Sequence, residues 1–216
     1  MKILDLSQPI FADCPNCPVH PAVEAKLIAR HPTDEWQMEL LSLASHTGSH
    51  LDAPLHKIEG GKAIDDFPLE TFVGQAVMAD LRNVIADQPI GASLLKTALP
   101  EKFPDKIVLL ATGWGRRRAK SNEWHFHSPY LAPDGAAWLV EQQARAVGID
   151  HYSIGGSGDD NARTHEILLG AGMWIVEDLS FPEEIFAAEQ PFQFWSLPIN
   201  LRGFSGSFCR PVVVLS

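Results

Sequence analysis

Three histidines and one aspartate lie close together in the segment HTGSHLDAPLH, which runs from position 46 to position 56. His50, Asp52 and His56 are separated by even numbers of residues, so in an extended chain their side chains leave the same face. The Cα atoms of His50 and Asp52 would then be about 6.6 Å apart, which lets both side chains bind one metal ion. His46 can join them from the preceding turn. The segment therefore predicts a metal site, and Pro54 favours a loop or sheet edge over a central strand.

A second pair of candidate ligands lies much later in the chain. His165 falls in a predicted helix over 164–170, and Glu177 falls in a predicted strand over 173–179. If the strand returns from the helix, the start of the helix and the end of the strand lie at the same edge. The alternative is that His165 is an ordinary residue at a helix start and Glu177 is a solvated strand end. Together with the first segment, the pair indicates a two-metal site that is bridged by carboxylates.

Other groups that could carry chemistry have simpler explanations. Cys14 and Cys17 form a C-x-x-C pattern, but prolines surround them and no second pair of ligands accompanies them. We therefore expect an irregular loop with two thiols. The basic run 116–118 is expected to be a solvated turn, and the glycine-rich loop 155–161 lacks the lysine of a phosphate-binding loop. The remaining histidines receive no role: His125 and His127 alternate on a possible strand, and His20, His31 and His151 are expected at the surface or in hydrogen-bonded loops.

The overall composition is typical of a globular protein and argues against several classes of partner. The chain has 216 residues, of which 45% are hydrophobic, and we expect one domain over 1–216. A net charge of −10 argues against a nucleic acid or an anionic membrane as partner. No apolar run is long enough to cross a membrane, and the first residues do not resemble a signal peptide. Three cysteines cannot all pair, which fits a reducing compartment, so we expect a cytoplasmic protein. Its expected partner is a small-molecule substrate.

The hydrophobic pattern predicts a mixed α/β domain. The run 107–112 is continuous and apolar, which is typical of a buried strand. Pro133 and Asp134 open a predicted helix whose apolar residues repeat every 3.6 positions up to Val147, with Gly148 as its C-terminal stop. Further strands are predicted near 2–6, 22–30, 36–45, 72–81, 149–154, 173–179, 193–201 and 207–215, and further helices near 90–99 and 164–170.

The segment from His46 to His56 resembles the H-x-G-T-H-x-D-x-P-x-H signature of the cyclase-like metal-dependent hydrolases, a family that includes bacterial kynurenine formamidases. Every fixed position agrees except that Ser49 stands in place of threonine, which keeps the hydroxyl group. The resemblance implies a mixed-sheet, swivelling β/β/α fold that assembles as a homodimer or homotetramer. It covers most of the chain, with further likeness at Gly60-Gly61, Ile64-Asp65, Thr112-Gly113-Trp114, Gly148-Ile149-Asp150, His165 and Glu177.

The resemblance also implies roles for the candidate residues. Asp52 would bridge two metal ions, and Glu177 would be shared between them. His56 would act as the acid/base rather than as a ligand. One or two ions per chain are implied, with zinc usual in the formamidases and manganese in related isatin-type hydrolases. The implied metal ligands are His46, His50, Asp52, His165 and Glu177.

These residues indicate hydrolysis of a small carbonyl compound by a metal-activated water. His56 could take the water proton and pass it to the leaving nitrogen or oxygen. An amide or formamide, as in arylformamidases, is the first expectation. The alternatives are a lactone, an ester or a cyclic imide of the isatin type at the same site, and a metal- or ligand-binding protein without catalysis. Cys17 stands where the formamidases place an aromatic side chain against the substrate, so it is a candidate substrate-binding residue and the substrate stays open.

Overall fold

The apolar run Ile107–Ala111 forms the central strand of a nine-stranded sheet in the computed structural model, which describes residues 1–215. All residues of this strand are buried, as its continuous apolar sequence predicts. Two small sheets of two strands each accompany the large sheet. In chain order the strands are β1 (Lys2–Asp5), β2 (Glu24–Ala29), β3 (Met38–Ser42), β4 (His50–Asp52), β5 (Val73–Asp80), β6 (Pro89–Ile90), β7 (Ile107–Ala111), β8 (Tyr130–Leu131), β9 (Ala146–Ile149), β10 (Trp174–Glu177), β11 (Phe192–Trp195), β12 (Gly206–Phe208) and β13 (Val212–Leu215).

The middle of the large sheet is parallel and its two sides are antiparallel. The strand order is β1-β13-β11-β5-β7-β9-β10-β4-β12. Strands β5, β7, β9 and β10 run parallel, whereas the pairs on either side of them run antiparallel. Strands β2 and β3 form a separate antiparallel hairpin, and β6 pairs with β8. The mixed α/β fold that the sequence predicts is confirmed.

Helices cover one face of the large sheet. The covering helices are α1 (Ala92–Ala98), α3 (Pro133–Glu141) and α4 (Asp160–Gly170), whereas the short α2 (Asn122–Phe126) packs through Trp124 in a separate aromatic cluster. The 3-10 turns are Pro54–His56, Ile64–Asp66, Leu69–Phe72, Trp114–Arg117 and Glu183–Ala187. Along β7, Val108 and Leu110 pack in one cluster with Leu139 of α3 and Leu168 of α4, whereas Leu109 packs in the cluster on the opposite face. This alternation follows from the two-residue period of a strand. Within residues 1–215, no helix combines the length and the apolarity that crossing a membrane requires.

The helix that opens at Pro133 is shorter than its sequence pattern predicts. It ends at Glu141 rather than near Val147, and Gln143 then adopts a left-handed conformation with φ of 58°. Val147 and Gly148 instead belong to β9, which pairs with β7 and β10. The predicted strand over 149–154 is therefore wrong by several residues. Two adjacent strands offer backbone partners on both sides here, and this pairing overrides the helical period.

Three local expectations also differ from the structure. Pro54 does not keep the preceding segment out of the sheet, because β4 lies between β10 and β12 and the proline opens the 3-10 turn that follows. The possible strand around His125 is the short helix α2, whose N-cap Ser121 accepts a hydrogen bond from the backbone nitrogen of Trp124. Helix α4 begins at Asp160, four residues earlier than predicted.

Candidate metal centre

Strands β4 and β10 place three candidate ligands on the helix-covered face of the sheet. Their antiparallel register sets His50 opposite Glu177 and Asp52 opposite Ile175, which packs in the helix-side cluster. Leu51 between them packs in the core on the other face. Directly paired residues of neighbouring strands point to the same side, so His50, Asp52 and Glu177 share one face. All three side chains are buried.

Helix α4 brings His165 to this group. The helix lies in the connection from β9 to β10, so its first turns stand above the end of the strand that carries Glu177. The Nε2 atom of His165 is 3.3 Å from Glu177 Oε1 and 3.6 Å from Asp52 Oδ2. The structure thus brings together two segments that are separated by more than a hundred residues in the sequence.

Asp52 lies between imidazoles on both of its sides. Its Oδ1 atom is 2.7 Å from His46 Nδ1 and 3.4 Å from His50 Nε2, whereas Oδ2 faces His165. Oδ2 is buried and has no hydrogen-bond partner among residues 1–215. An unpaired buried carboxylate oxygen is costly, so this atom indicates a place for a cation.

Glu177 occupies a similar position between two histidines. Its Oε2 atom is 3.3 Å from His50 Nε2, and its Oε1 atom is 3.3 Å from His165 Nε2. The backbone nitrogen of Ile154 donates to Oε1 at 2.6 Å and fixes the carboxylate. Both carboxylates therefore present one oxygen to His50 and the other to His165.

Backbone carbonyls fix the ring orientation of two histidines. His50 Nδ1 donates to the carbonyl oxygen of Gly48 at 2.8 Å, and His165 Nδ1 donates to that of Asn161 at 2.9 Å. In each ring the other nitrogen, Nε2, then faces the carboxylates. This is the arrangement in which metal-binding imidazoles occur, with one nitrogen donating to an outer partner and the other free for the ion.

His46 is held differently. Its Nδ1 atom contacts Asp52, and its Nε2 atom lies 3.0 Å from the hydroxyl of Ser205. The ring packs over Gly206 of β12, where a Cβ atom would lie 2.5 Å from His46 Cε1. Glycine at this position therefore leaves room for the imidazole.

The charges of the group balance only if positive charge is present. Burial raises the pKa of Asp52, but the nearby imidazoles of His165 and His46 lower it by more, so the pKa ends well below its usual value. Burial and Asp52 raise the pKa of Glu177, yet hydrogen bonds from His165 and His50 leave that pKa lowered. Two ionised carboxylates are thus held beside each other in a buried site.

The histidines respond in the opposite direction. Burial lowers the pKa of His50, but the contact with Glu177 and the charge of Asp52 raise it to about 9. Burial likewise lowers the pKa of His165, and both carboxylates raise it to about 10. Without a cation, protons on these rings would have to balance the carboxylates, which indicates that the site is built for positive charge.

The donor set fits a divalent metal ion. Two groups have one ligand atom per residue within 4.8 Å of the others: His46, Asp52 and His56 in one, and His50, Asp52 and Glu177 in the other. Asp52 belongs to both groups. Imidazole nitrogen together with carboxylate oxygen suits zinc and several other first-row metals.

An open cavity of about 530 Å³ lies over the group. His56 is exposed on its wall, with its ring centre 4.0 Å from that of His46 and 5.8 Å from that of His165. Partial desolvation of its imidazole beside the neighbouring rings lowers the pKa of His56, and the charge of Asp52 opposes this shift. A volume of this size is typical of a small-molecule site. The cavity is lined by Cys17, Val19, His20, His46, His50, His56, Lys57, Tyr152, Ser153, Gly158, Asp159, Asn161, Ala162, His165 and Glu177.

Cys17 reaches the cavity from the N-terminal loop. The backbone nitrogen of His20 donates to the carbonyl of Cys17 at 3.0 Å, which closes a turn with Pro18 at its second position. This turn places both Cys17 and His20 at the cavity wall. Burial raises the pKa of the Cys17 thiol and lowers the pKa of His20. His20, which received no role from the sequence, thus lies beside the candidate site.

A buried ion pair behind the site contradicts one sequence interpretation. The sequence predicts a solvated turn for Arg118, but only 6% of its side chain is exposed and its Nε donates to Asp178 Oδ2 at 3.0 Å. Its other nitrogens donate to the carbonyls of Pro9 and Pro15. Arg118 therefore ties the N-terminal loop to the residue after Glu177.

Ser49 forms a second connection behind the ligands. Its hydroxyl donates to the carbonyl of Asp178 at 2.7 Å and accepts from the backbone nitrogen of Gln8 at 2.8 Å. These supporting residues carry no signal in local spacing, because their partners lie far away in the chain. The Cys14-x-x-Cys17 pattern forms no disulfide, since both residues are free thiols.

Comparison with known proteins identifies the family of this chain. The model of the putative cyclase family matches residues 4–155. A kynurenine formamidase from Salinibacter ruber (strain DSM 13855 / M31) is 31% identical over 216 residues, which cover 99% of this chain and 97% of the relative.

Solved structures show the same fold. A predicted metal-dependent hydrolase from Bacillus stearothermophilus is 26% identical and superposes with a TM-score of 0.80, covering 98% of this chain and 97% of the other. Isatin hydrolase A from Labrenzia aggregata is 22% identical and superposes with a TM-score of 0.84, covering 99% and 93%. The match to the family model over most of the chain and the full-length relative at 31% identity show that this chain belongs to the putative cyclase family.

Proposed function

We propose that this chain is a metal-dependent hydrolase that cleaves a small amide or formamide through an activated water. The observation that carries the proposal is the convergence of three imidazoles and two carboxylates beneath an open cavity whose wall carries His56. Relatives that align over nearly the whole chain are kynurenine formamidases, which act on a non-peptide C–N bond. A purely structural metal site would instead be closed to solvent.

The proposed ligands are His46, His50, Asp52, His165 and Glu177, and the proposed ion is zinc, with manganese as the alternative. The positions of Asp52 and Glu177 between His50 and His165 support one or two ions per chain with shared carboxylates. A divalent cation in such a site polarises a carbonyl oxygen and lowers the pKa of water, so that hydroxide is available near neutral pH.

His56 is the proposed acid/base. Its side chain has no hydrogen-bond partner among residues 1–215, and its exposed position on the cavity wall lets it meet a substrate. It takes a proton from the attacking water and delivers one to the leaving nitrogen. Cys17 contacts the substrate from the opposite loop.

Hydrolysis of a cyclic imide, lactone or ester is the second candidate function. The same site serves these reactions, and the fold neighbours include isatin hydrolase A. The half-buried thiol of Cys17 supports this candidate, because it leaves more room at the wall than an aromatic side chain would. A protein that binds metal without catalysis would hold the ions yet turn over none of these substrates.

The proposal is tested first by elemental analysis of the purified, unsupplemented protein. We expect about two equivalents of zinc or manganese per chain, loss of both in Asp52→Asn, and no change in the exposed control Asp65→Asn. One equivalent retained in Asp52→Asn would contradict the bridging role. Loaded protein is then assayed with N-formyl aromatic amines, cyclic imides, lactones and esters, and failure to hydrolyse any of them would contradict the enzymatic function.

We also propose that the chain is a homo-oligomer, a dimer or tetramer, in the cytoplasm. The hairpin of β2 and β3 exposes large apolar side chains, among them Trp36, Leu40 and Leu41, and a hairpin alone is marginally stable in water. Its coverage by a second copy would remove this apolar surface from water. Light scattering should show a smaller particle for the Leu40→Asp, Leu41→Asp double variant than for Glu39→Lys.

Free thiols at Cys14, Cys17 and Cys209 support the proposed cytoplasmic location, because the cytoplasm is a reducing compartment.

A further inference from the structure

We propose that Asn161 selects substrates that carry a second oxygen acceptor, because its side-chain amide donates a hydrogen bond to that group inside the cavity. The inference rests on the proposed hydrolase function and adds the substrate class. Asn161 precedes His165 by four residues on α4, so both lie on the same helix face about one turn apart. Both residues line the cavity.

Two contacts hold the asparagine in one orientation. The hydroxyl of Ser153, which is buried, donates to Asn161 Oδ1 at 2.8 Å. The backbone carbonyl of Asn161 accepts from His165 Nδ1, so the residue is also tied to a proposed metal ligand. Because Oδ1 is engaged, the free end of the amide is Nδ2, which can only donate.

The Nδ2 group is available to a ligand. It has no hydrogen-bond partner among residues 1–215, it is not among the fully buried polar atoms that lack one, and Asn161 lines the cavity. Its position one helical turn from His165 places the recognised acceptor several ångströms from the reacting carbonyl. A ring carboxylate or the second carbonyl of an imide meets this requirement.

The opposite wall carries the competing candidate. His20 lies on the Cys17–His20 turn, its ring centre is 6.5 Å from that of His46, and its Nδ1 atom is buried without a partner. However, no side-chain hydrogen bond to another side chain holds the His20 ring within residues 1–215, whereas the Ser153 hydroxyl holds the Asn161 amide. A pre-oriented donor discriminates better between substrates, since less freedom is lost on binding.

The test compares formanilide with formanilides that bear a ring carboxylate in the ortho or meta position. Wild-type kcat/KM should be about 10- to 100-fold higher for one of the carboxylates, as expected for a hydrogen bond to a charged group. Asn161→Leu should abolish this preference through KM while formanilide hydrolysis changes less than about threefold. Ser153→Ala, which frees the amide to rotate, should reduce the preference partially, and metal content should stay constant in all variants.

Several outcomes would overturn the proposal. If Asn161→Leu lowers kcat/KM equally for all substrates, the residue only shapes α4. Loss of the preference in His20→Gln but not in Asn161→Leu would mean that His20, and not Asn161, binds the second acceptor of the substrate. If wild-type kcat/KM is no higher for either carboxylated formanilide than for formanilide, the proposed substrate class is refuted. If no formanilide is hydrolysed at all, the proposed function fails in its first form, and calorimetric binding of benzoate to the metal-loaded protein still tests Asn161. Affinity should fall about tenfold in Asn161→Leu, and equal affinity would refute the role.

Discussion

Individual side chains at the centre differ in how firmly they are held. His50 and His165 each donate one ring nitrogen to a backbone carbonyl, and Glu177 accepts from a backbone amide. His56 has no such restraint and stands at the cavity wall. Restrained rings suit ligands, whereas a free ring suits proton transfer to and from a substrate.

Substitution His56→Ala separates these roles. We expect kcat to fall by about 10²–10⁴-fold, which is the usual contribution of a positioned acid/base, while the metal content stays at the wild-type value. The measurement is kcat with the best substrate, together with metal equivalents per chain. His31→Ala, at an exposed position outside the cavity lining, serves as control. A parallel loss of metal would instead make His56 a ligand, consistent with its place beside His46 and Asp52.

Secondary-structure elements determine which of these residues meet. The spacing of His46 to His56 predicts a metal site because the ligand types are dense and local. Its position inside the sheet was not predictable from that spacing, since it depends on β10 and β12 far along the chain. Val147 shows the same limit: its period fits a helix, and only the neighbouring strands make it part of β9.

Arg118 gives a prediction at this scale, because it joins an element to a loop. Arg118→Met leaves Asp178 buried without its partner, and we expect a loss of about 3 kcal/mol in unfolding free energy by urea titration. Limited proteolysis should become faster within residues 9–20, since two carbonyls of this loop lose their donors. Arg117→Met is the matched control: that side chain is exposed and pairs with exposed Glu123, so a change below about 1 kcal/mol is expected. Equal effects of both variants would contradict the role of Arg118.

The whole molecule is held by a sheet that takes strands from both ends of the chain, since β1 pairs with β13. This closure supports the proposal that residues 1–216 form one domain.

Burial inside this domain disfavours the charged form of an ionisable side chain. His151 is fully buried, its Nδ1 accepts from the hydroxyl of Ser128 and its Nε2 donates to the carbonyl of Trp124. Burial lowers the pKa of His151 to about 4.

Stability should therefore fall as the solution becomes acidic. The unfolded histidine has a pKa near 6.5, so below this pH the unfolded chain binds a proton that the folded chain excludes until about pH 4. The contribution of His151 is nearly complete at pH 7 and has decreased by about 2 kcal/mol at pH 5. Urea unfolding at both pH values should show a smaller decrease for His151→Gln than for wild type. His31→Gln, at an exposed site, should behave as wild type. If His151→Gln loses as much unfolding free energy between pH 7 and pH 5 as wild type, His151 is not the source of the acid sensitivity.

The late pairing of β4 has a consequence for biosynthesis. His50 and Asp52 leave the ribosome early, but both strands that flank them, β10 and β12, are made more than a hundred residues later. His165 and Glu177 emerge in that same late portion. The nascent chain therefore cannot assemble the proposed ligand set during most of its synthesis, so loading of the proposed ions would be one of the last steps of maturation rather than a seed for folding.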